Sequence, residues 1–382
     1  MRGHIAKMRT GRYQVRLELD PEHDQATGER VRRRRAGGSY PTRREAQAAL
    51  ADAIASGRRG WRGPSRITVA EYLRTRWLPG VDLSLAPTTS ALYRTVCEAY
   101  LIPRIGGMAL EALDAGRLTA LYAELLAGGG RGGRPLAPKT VRHCHTTLRK
   151  ALSDAVDEHI IPFNVATSAK VPKVPTVERP SWTAAEVGRF LAHVADDRLR
   201  GLWVLAARTG MRRGELLGLR WSDVDLTDRP TLRIRQTLVS YGKLQALKEP
   251  KTPRSRRTIP LPPDAVAALR AHHARQAEEK LAAGRAWTDN GMVFTDEVGR
   301  PLSPSVVTHW FSDRVRDAGL PPLSLHGLRH SYATAGLEAG VDVVYVSELL
   351  GHSSVAITQS TYQHVRADRL EAAVASITEA MS

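Results

Sequence analysis

Cysteine is almost missing from this 382-residue sequence: Cys97 and Cys144 are the only two. They lie far apart and in no CxxC pattern, so neither a disulfide framework nor a cysteine zinc site is indicated. No apolar run approaches the ~20 residues that cross a bilayer, and the opening MRGHIAKMRT lacks the apolar core of a secretory signal. The expected location is therefore inside the cell. The phosphate-binding loop of ATP-driven enzymes and the paired acidic cluster of metal-dependent ones are both absent, as is any internal repeat. Negative charge is scarce as well. Asp and Glu number 39 against 56 Lys and Arg, a net charge of +17. Such an excess points to a polyanionic partner, most commonly nucleic acid. A membrane surface is the rival, but no long basic amphipathic helix supports it. Arginine outnumbers lysine while alanine and glycine abound, which fits a GC-rich genome, so arginine frequency alone carries no weight.

Along the chain, residues 1–60 read as a small basic module. GRYQVRLELD alternates Tyr13, Val15, Leu17 and Leu19, a period-two strand pattern. VRRRRAGGSY supplies a second strand and turn, with Arg32, Arg33, Arg34 and Arg35 as candidate DNA contacts. TRREAQAALADAIAS is an expected helix with Thr42 as N-cap and Glu45 completing a capping box. The Gly- and Arg-rich GRRGWRGPS (57–65) is a linker. Residues 66–166 are helical throughout in pattern, with basic residues such as Lys139 and Arg142 on exposed faces. Residues 167–180 form a second linker, kept extended by Pro172, Pro175 and Pro180. Lys170 and Lys173 within it suit a strap along DNA. Residues 181–382 alternate helices with short strands, TLRIRQTLV (231–239) and RRTIPL (256–261) among them.

This last region holds the side chains that carry chemistry. In TGMRRGELLGLRW, Gly210 breaks an apolar helix and a new one starts near Met211, with Arg212 and Glu215 on one face. A carboxylate there would hold the guanidinium in place. Lys251 lies in the turn-rich LKEPKTPRSRRTIPL, where a hairpin tip would project it into a groove. HGLRHSYAT carries His326, Arg329 and His330. In LLGHSSVAITQSTYQHV, Gly351 ends a helix just before His352, a short helix starts from Ser354, and Tyr362 follows among polar residues. Tyr332 and Tyr345, set among apolar residues, read as packing.

A metal alternative is His326 with His330, which have the outer spacing of HExxH. Gly327 stands where that motif needs Glu. His143 and His145 fall on different helix faces. No metal is expected, and His330 reads as a structural support.

In order and spacing, TGMRRGELLGLRW, HGLRHSYAT and LLGHSSVAITQSTYQHV resemble the tyrosine recombinase family of phage integrases. The family's pattern of Arg, Lys, His-x-x-Arg, His or Trp, then Tyr is matched by Arg212, Lys251, His326 with Arg329, His352 and Tyr362. Lys248, Arg254, Arg256 and Arg257 lie close enough in sequence to compete for the lysine's role. The resemblance implies a mostly helical α+β fold. It would comprise an arm-site DNA-binding module of sheet plus helix, an all-helical core-site domain, and a mixed α/β catalytic domain with a helical tail. It implies a 3′-phosphotyrosyl intermediate, no cofactor and no metal. Double-stranded DNA is the implied partner, bound by a homotetramer with an accessory DNA-bending or excision factor, in the bacterial cytoplasm at the nucleoid. Arg212 and Arg329 would offer planar, permanently charged forks to the phosphate oxygens. Tyr362, with an ordinary pKa of about 10, would need those cations to become a phenolate. Lys251 would protonate the departing 5′ oxygen. In the tail, Leu370, Val374 and Ile377 recur at helical spacing and are expected to dock on a neighbouring protomer. Two other classes remain: a type IB-like topoisomerase with the same chemistry, and a catalytically inert DNA-binding regulator.

Overall fold

The computed structural model describes residues 2–8, 11–18, 22–23, 30–31, 34–58, 67–175, 180–241, 244–249, 255–352 and 354–356. Leu19, Arg32, Arg33, Lys251, Tyr362, most of the 57–65 linker and the whole 367–382 tail fall outside them. The described residues gather into two compact units, Met1–Thr176 and Val177–Ser382.

The first unit opens with three antiparallel strands, Arg2–Lys7, Tyr13–Glu18 and Arg34–Tyr40, in that order across one sheet. Alternation places Val15 inward opposite Ile5, and Tyr13 opposite Tyr40. These side chains pack around Val15 and Ala46, with Leu50 of the helix Arg43–Arg58. Thr42 caps that helix, its Oγ1 accepting the Glu45 N–H at 3.2 Å, so a donor the first turn cannot satisfy has a partner. Arg34 and Arg35 begin the third strand.

The rest of this unit is helical. Val69–Tyr72 passes through a π-helical stretch, Leu73–Trp77, into Leu78–Ser84, and Pro87–Val96, Ala115–Gly128 and Pro138–Asp157 follow. Proline at the first turn starts two of these helices, where its missing N–H costs nothing. In Pro138–Asp157, Val141, Cys144, His145, Leu148, Leu152 and Ala155 turn inward at helical spacing. Lys139, Arg142 and His143 face solvent. His145 Nδ1 instead meets the Tyr122 hydroxyl at 3.0 Å inside the core, so the two histidines do diverge. Cys97 and Cys144 are buried here, and burial pushes their thiols up to about 12 and about 11. Both are packing residues. The chain from Val165 to Val171 lies on this helical core, with Ala166 buried and the Lys170 N–H donating to Thr119 Oγ1 at 3.1 Å. The start of the expected 167–180 linker is thus packed, while the Lys170 and Lys173 side chains are exposed.

The second unit is helix-rich with small sheets. Trp182, Phe190, Trp203 and Phe311 meet with ring centroids 5.2 to 6.1 Å apart at its centre. One sheet places Thr231–Arg233 between Val224–Asp225 and Thr258–Pro260, all antiparallel. The continuous strand expected over 231–239 is two strands. Thr237–Tyr241 leaves that sheet to pair with Leu244–Lys248 in a separate hairpin. Ile234 N–H still follows the sheet's register, donating to Arg257 O at 2.8 Å, and two residues on the Gln236 side chain donates to Gly218 O at 2.7 Å where the chain leaves it. In that hairpin Tyr241 pairs with Leu244, and Lys248 sits opposite Thr237 at its base. Lys251, expected at a hairpin tip, lies outside the described residues. Among the described residues no helix is long and apolar enough to cross a membrane.

Candidate active site

The site begins at the end of the helix Arg200–Thr209. Gly210 terminates it with φ +60°, a left-handed conformation that favours glycine. A Cβ there would also stand 2.7 Å from Leu350 Cδ2 and 2.8 Å from Tyr332 Cδ1. Arg212 then serves as N-cap of the short helix Arg213–Leu217. Its backbone N–H donates to Glu215 Oε2 at 2.9 Å and its Nη1 to Glu215 Oε1 at 2.8 Å. Its Nη2 donates to Gly351 O at 2.9 Å. The neighbouring Arg213 turns away, donating to Pro304 O at 3.2 Å and Thr308 Oγ1 at 2.6 Å. The structure thus separates the twin arginines of the MRRGE stretch.

Arg329 comes from the helix Leu325–Glu338, whose N-cap Ser324 accepts the Gly327 N–H at 3.1 Å. It is only 3% exposed. Its Nη1 donates to Gly210 O and its Nη2 to Leu350 O, both at 2.8 Å. One turn earlier His326 lies exposed, and its ring packs edge-on against that of buried His330, centroids 4.9 Å apart. Among the described residues no group of three or more His, Cys, Asp or Glu could hold a metal.

The carbonyls gripped by these arginines close the helix Val343–Leu350. The last carbonyls of any helix lack intrahelical partners and carry the negative end of its dipole. Here three arginines from three elements take them in sequence. Arg257 Nε donates to Leu349 O at 2.7 Å, Arg329 to Leu350 O, and Arg212 to Gly351 O. Gly351, at φ +64°, turns the chain so that His352 follows directly, its N–H donating to Ser347 O at 3.1 Å. Beyond Ser354, whose Oγ accepts the Ala356 N–H at 3.2 Å, helical backbone resumes at 355–356. On Val343–Leu350 itself, Val346, Ser347 and Leu350 point inward. Tyr345 lies on the opposite face and is 63% exposed, so the expectation that it packs is corrected. Its apolar neighbours in sequence occupy other faces of the helix. Tyr332 does pack, against the small cluster of Ala333, Val346 and Leu350.

Glu215 is the counter-charge at the centre. Burial alone would raise its carboxyl, but hydrogen bonds and charge from Arg257, with the charge of Arg212, outweigh that and hold it below the ordinary range. His352 shifts down to about 4, first through burial, then through the positive charges of Arg329 and Arg212, with His330 and Arg257 adding to them. It is therefore neutral near pH 7 and can present one donor and one acceptor nitrogen. Because its folded value lies below the ordinary one near 6.5, the unfolded chain takes the proton first, and stability falls as pH drops from there toward 4. In an imidazole NMR titration, His352 should stay neutral through pH 5; a midpoint near 6.5 would contradict this geometry.

Of the expected site residues, the structure brings together Arg212, Glu215, Arg329 and His352, with the His326–His330 pair on the Arg329 helix. Lys251 and Tyr362 lie outside the described residues. Lys139, Arg142, Lys170 and Lys173 are exposed on the first unit. Arg257 was visible in sequence only as a competitor for the lysine's role. Its actual contacts are 42 and 92 positions away, beyond any local pattern.

The sequence profile of the phage integrase family matches residues 181–369. A tyrosine recombinase XerC-like protein of Caldanaerobacter subterraneus subsp. tengcongensis is 30% identical over 318 residues, spanning 78% of this chain and 80% of that one. Among solved structures, the Tn1549 transposon integrase in complex with transposon right end DNA superposes with a TM-score of 0.66 at 19% identity, covering 80% of this chain and 99% of that one. A lambda integrase tetramer bound to a Holliday junction gives 0.58 at 20% identity, covering 94% of each. With the arginine pair, the histidines and their order along the chain, these likenesses have one meaning: the chain belongs to the phage integrase family of tyrosine recombinases, which break and rejoin DNA strands.

Proposed function

We propose that this protein is the integrase of a phage or other integrative mobile element, acting on double-stranded DNA through a phosphotyrosyl intermediate at Tyr362. The observation that carries the proposal is the pair Arg212 and Arg329. Each guanidinium is fixed by protein oxygens, and each holds a carbonyl within two residues of His352, Gly351 O for Arg212 and Leu350 O for Arg329. A guanidinium has five N–H donors, so two anchored ones still allow a phosphate to be gripped.

In the first step the Tyr362 oxygen attacks phosphorus, forming a 3′-phosphotyrosyl bond and breaking the bond to the 5′ oxygen, which Lys251 protonates. Arg212 and Arg329 balance charge on the non-bridging oxygens, in the manner of a preorganised oxyanion site. Neutral His352 adds a donor, and His326 accepts the tyrosine proton or bonds the phosphate. Glu215 and His330 support these groups. In the second step a 5′ hydroxyl of the partner strand attacks the phosphotyrosine and releases Tyr362. One phosphoester replaces another each time, so joining needs neither ATP nor metal. Lys139, Arg142, Lys170, Lys173 and the 32–35 arginine run would contact the DNA backbone. A homotetramer on paired sites, supported by the lambda integrase likeness, would exchange the strands with an accessory bending or excision factor, in the bacterial cytoplasm.

A nicked suicide DNA substrate tests this directly. The wild-type chain should form a covalent protein–DNA band, without added metal, that Tyr362→Phe abolishes. A band that survives the substitution would sink the assignment. No band from the wild-type chain would favour the inert regulator, whereas relaxation of supercoiled DNA by a monomer would favour the topoisomerase.

A further inference from the structure

We infer that Arg257 is a positioning residue of this active site: it braces Glu215 and the Leu349 carbonyl, and through them sets Arg212 and His352 against the phosphate. The inference rests on the reaction proposed above. Arg257 stands immediately before the strand Thr258–Pro260, and its own carbonyl accepts the Ile234 N–H at 2.8 Å. The sheet therefore fixes where its side chain starts. The side chain is 8% exposed and spends its donors on protein oxygens. Nε reaches Leu349 O at 2.7 Å, Nη2 reaches Glu215 Oε2 at 2.9 Å, and Nη1 reaches Glu215 Oε1 at 3.1 Å and Ser255 O at 3.4 Å. With Nε, Nη1 and Nη2 all engaged by protein oxygens, it braces the site and leaves the phosphate to Arg212 and Arg329.

Its two grips lead to two different working residues. Glu215 takes the Arg257 fork on one side and the Arg212 Nη1 and backbone N–H on the other. Both carboxylate oxygens are thereby shared between the arginines. The Leu349 carbonyl lies three positions before His352, in the turn that Gly351 makes. The guanidinium also lies close against that turn. A Cβ on Gly351 would meet Arg257 Nη1 at 2.8 Å, Cζ at 3.1 Å and Cδ at 3.2 Å. Glycine at 351 is thus required both by its φ and by Arg257. A lysine could not substitute, because a single ammonium cannot span a bidentate carboxylate and a carbonyl at once.

The test uses full-length Arg257→Lys and Arg257→Met on the nicked substrate under single turnover, with DNA saturating. DNA affinity should be unchanged, while the rate of covalent-complex formation per folded molecule falls about 100-fold, the scale of a small misplacement of reacting groups. Gly351→Ala should give a similar loss, and its combination with Arg257→Met less than the product of the two. An imidazole titration, which needs no DNA, should show the His352 midpoint moved upward in Arg257→Met. Wild-type rates in folded Arg257 variants, or losses that vanish once the folded fraction is counted, would overturn the inference. Should the wild-type chain itself form no adduct, the proposed reaction fails, and the His352 titration still decides whether Arg257 positions that residue: an unmoved midpoint overturns it.

Discussion

Arg329→Lys should slow covalent-complex formation by about 10²–10³-fold, the usual cost of one preorganised donor to a developing anionic oxygen, while DNA still binds. The size of the effect follows from where Arg329 stands. At 3% exposure it is the most enclosed arginine of the clamp, and it forks between Gly210 O and Leu350 O. Those two carbonyls end the helices that deliver Arg212 and His352. A lysine keeps the charge but has no planar fork, so at most one carbonyl keeps its partner and the ammonium shifts. The same change therefore removes a phosphate donor and loosens the groups on either side. Single-turnover cleavage of the nicked substrate, with affinity measured in parallel, separates these effects. A rate within a few-fold of wild type would show that charge alone suffices.

Glu215→Gln should destabilise the second unit by about 3–5 kcal/mol, as breaking one side of a buried ion pair typically does. Glu215 is 5% exposed, and both its oxygens accept from Arg212 and Arg257. A glutamine would turn an amide N–H toward guanidinium donors and leave two cations uncompensated. Denaturant midpoints at neutral pH measure the loss. The pH dependence has a definite sign. The folded carboxyl lies below its ordinary value, so its stabilisation is complete above the unfolded value near ~4.3 and is lost as pH falls through the folded one. The gap between wild type and Glu215→Gln should therefore narrow in acid. A gap that widens there, or a neutral substitution, would contradict the clamp.

How much of this could be read from sequence depends on the range of each interaction. Arg212 with Glu215 is a contact three positions apart, and the glycines that end two helices announce themselves locally. The Thr42 cap and the inward face of Pro138–Asp157 are equally local. What sequence could not supply were the carbonyl grips that join Arg212 to Gly351, Arg329 to Gly210, and Arg257 to Leu349, spanning 139, 119 and 92 positions. Those contacts arise only once helices and sheet have packed. The same limit explains the strand expected over 231–239. Its alternation is genuine, but Gln236 is drawn to Gly218 and Thr237 pairs with Lys248, and no periodicity encodes that. Tyr345 was misjudged because neighbours in sequence are not neighbours on a helix face. Lys139, Arg142, Lys170 and Lys173 were legible as exposed cations, since charge on the outer face of an amphipathic helix or an extended strap follows from composition.

The most direct test of the whole scheme is to trap the covalent complex on nicked DNA, digest protein and DNA, and map the modified peptide by mass spectrometry. The expected product is a nucleotide joined through its 3′ phosphate to Tyr362. A phosphate found on Tyr332, Tyr345 or any other side chain, or joined through the 5′ end of the DNA, would contradict it.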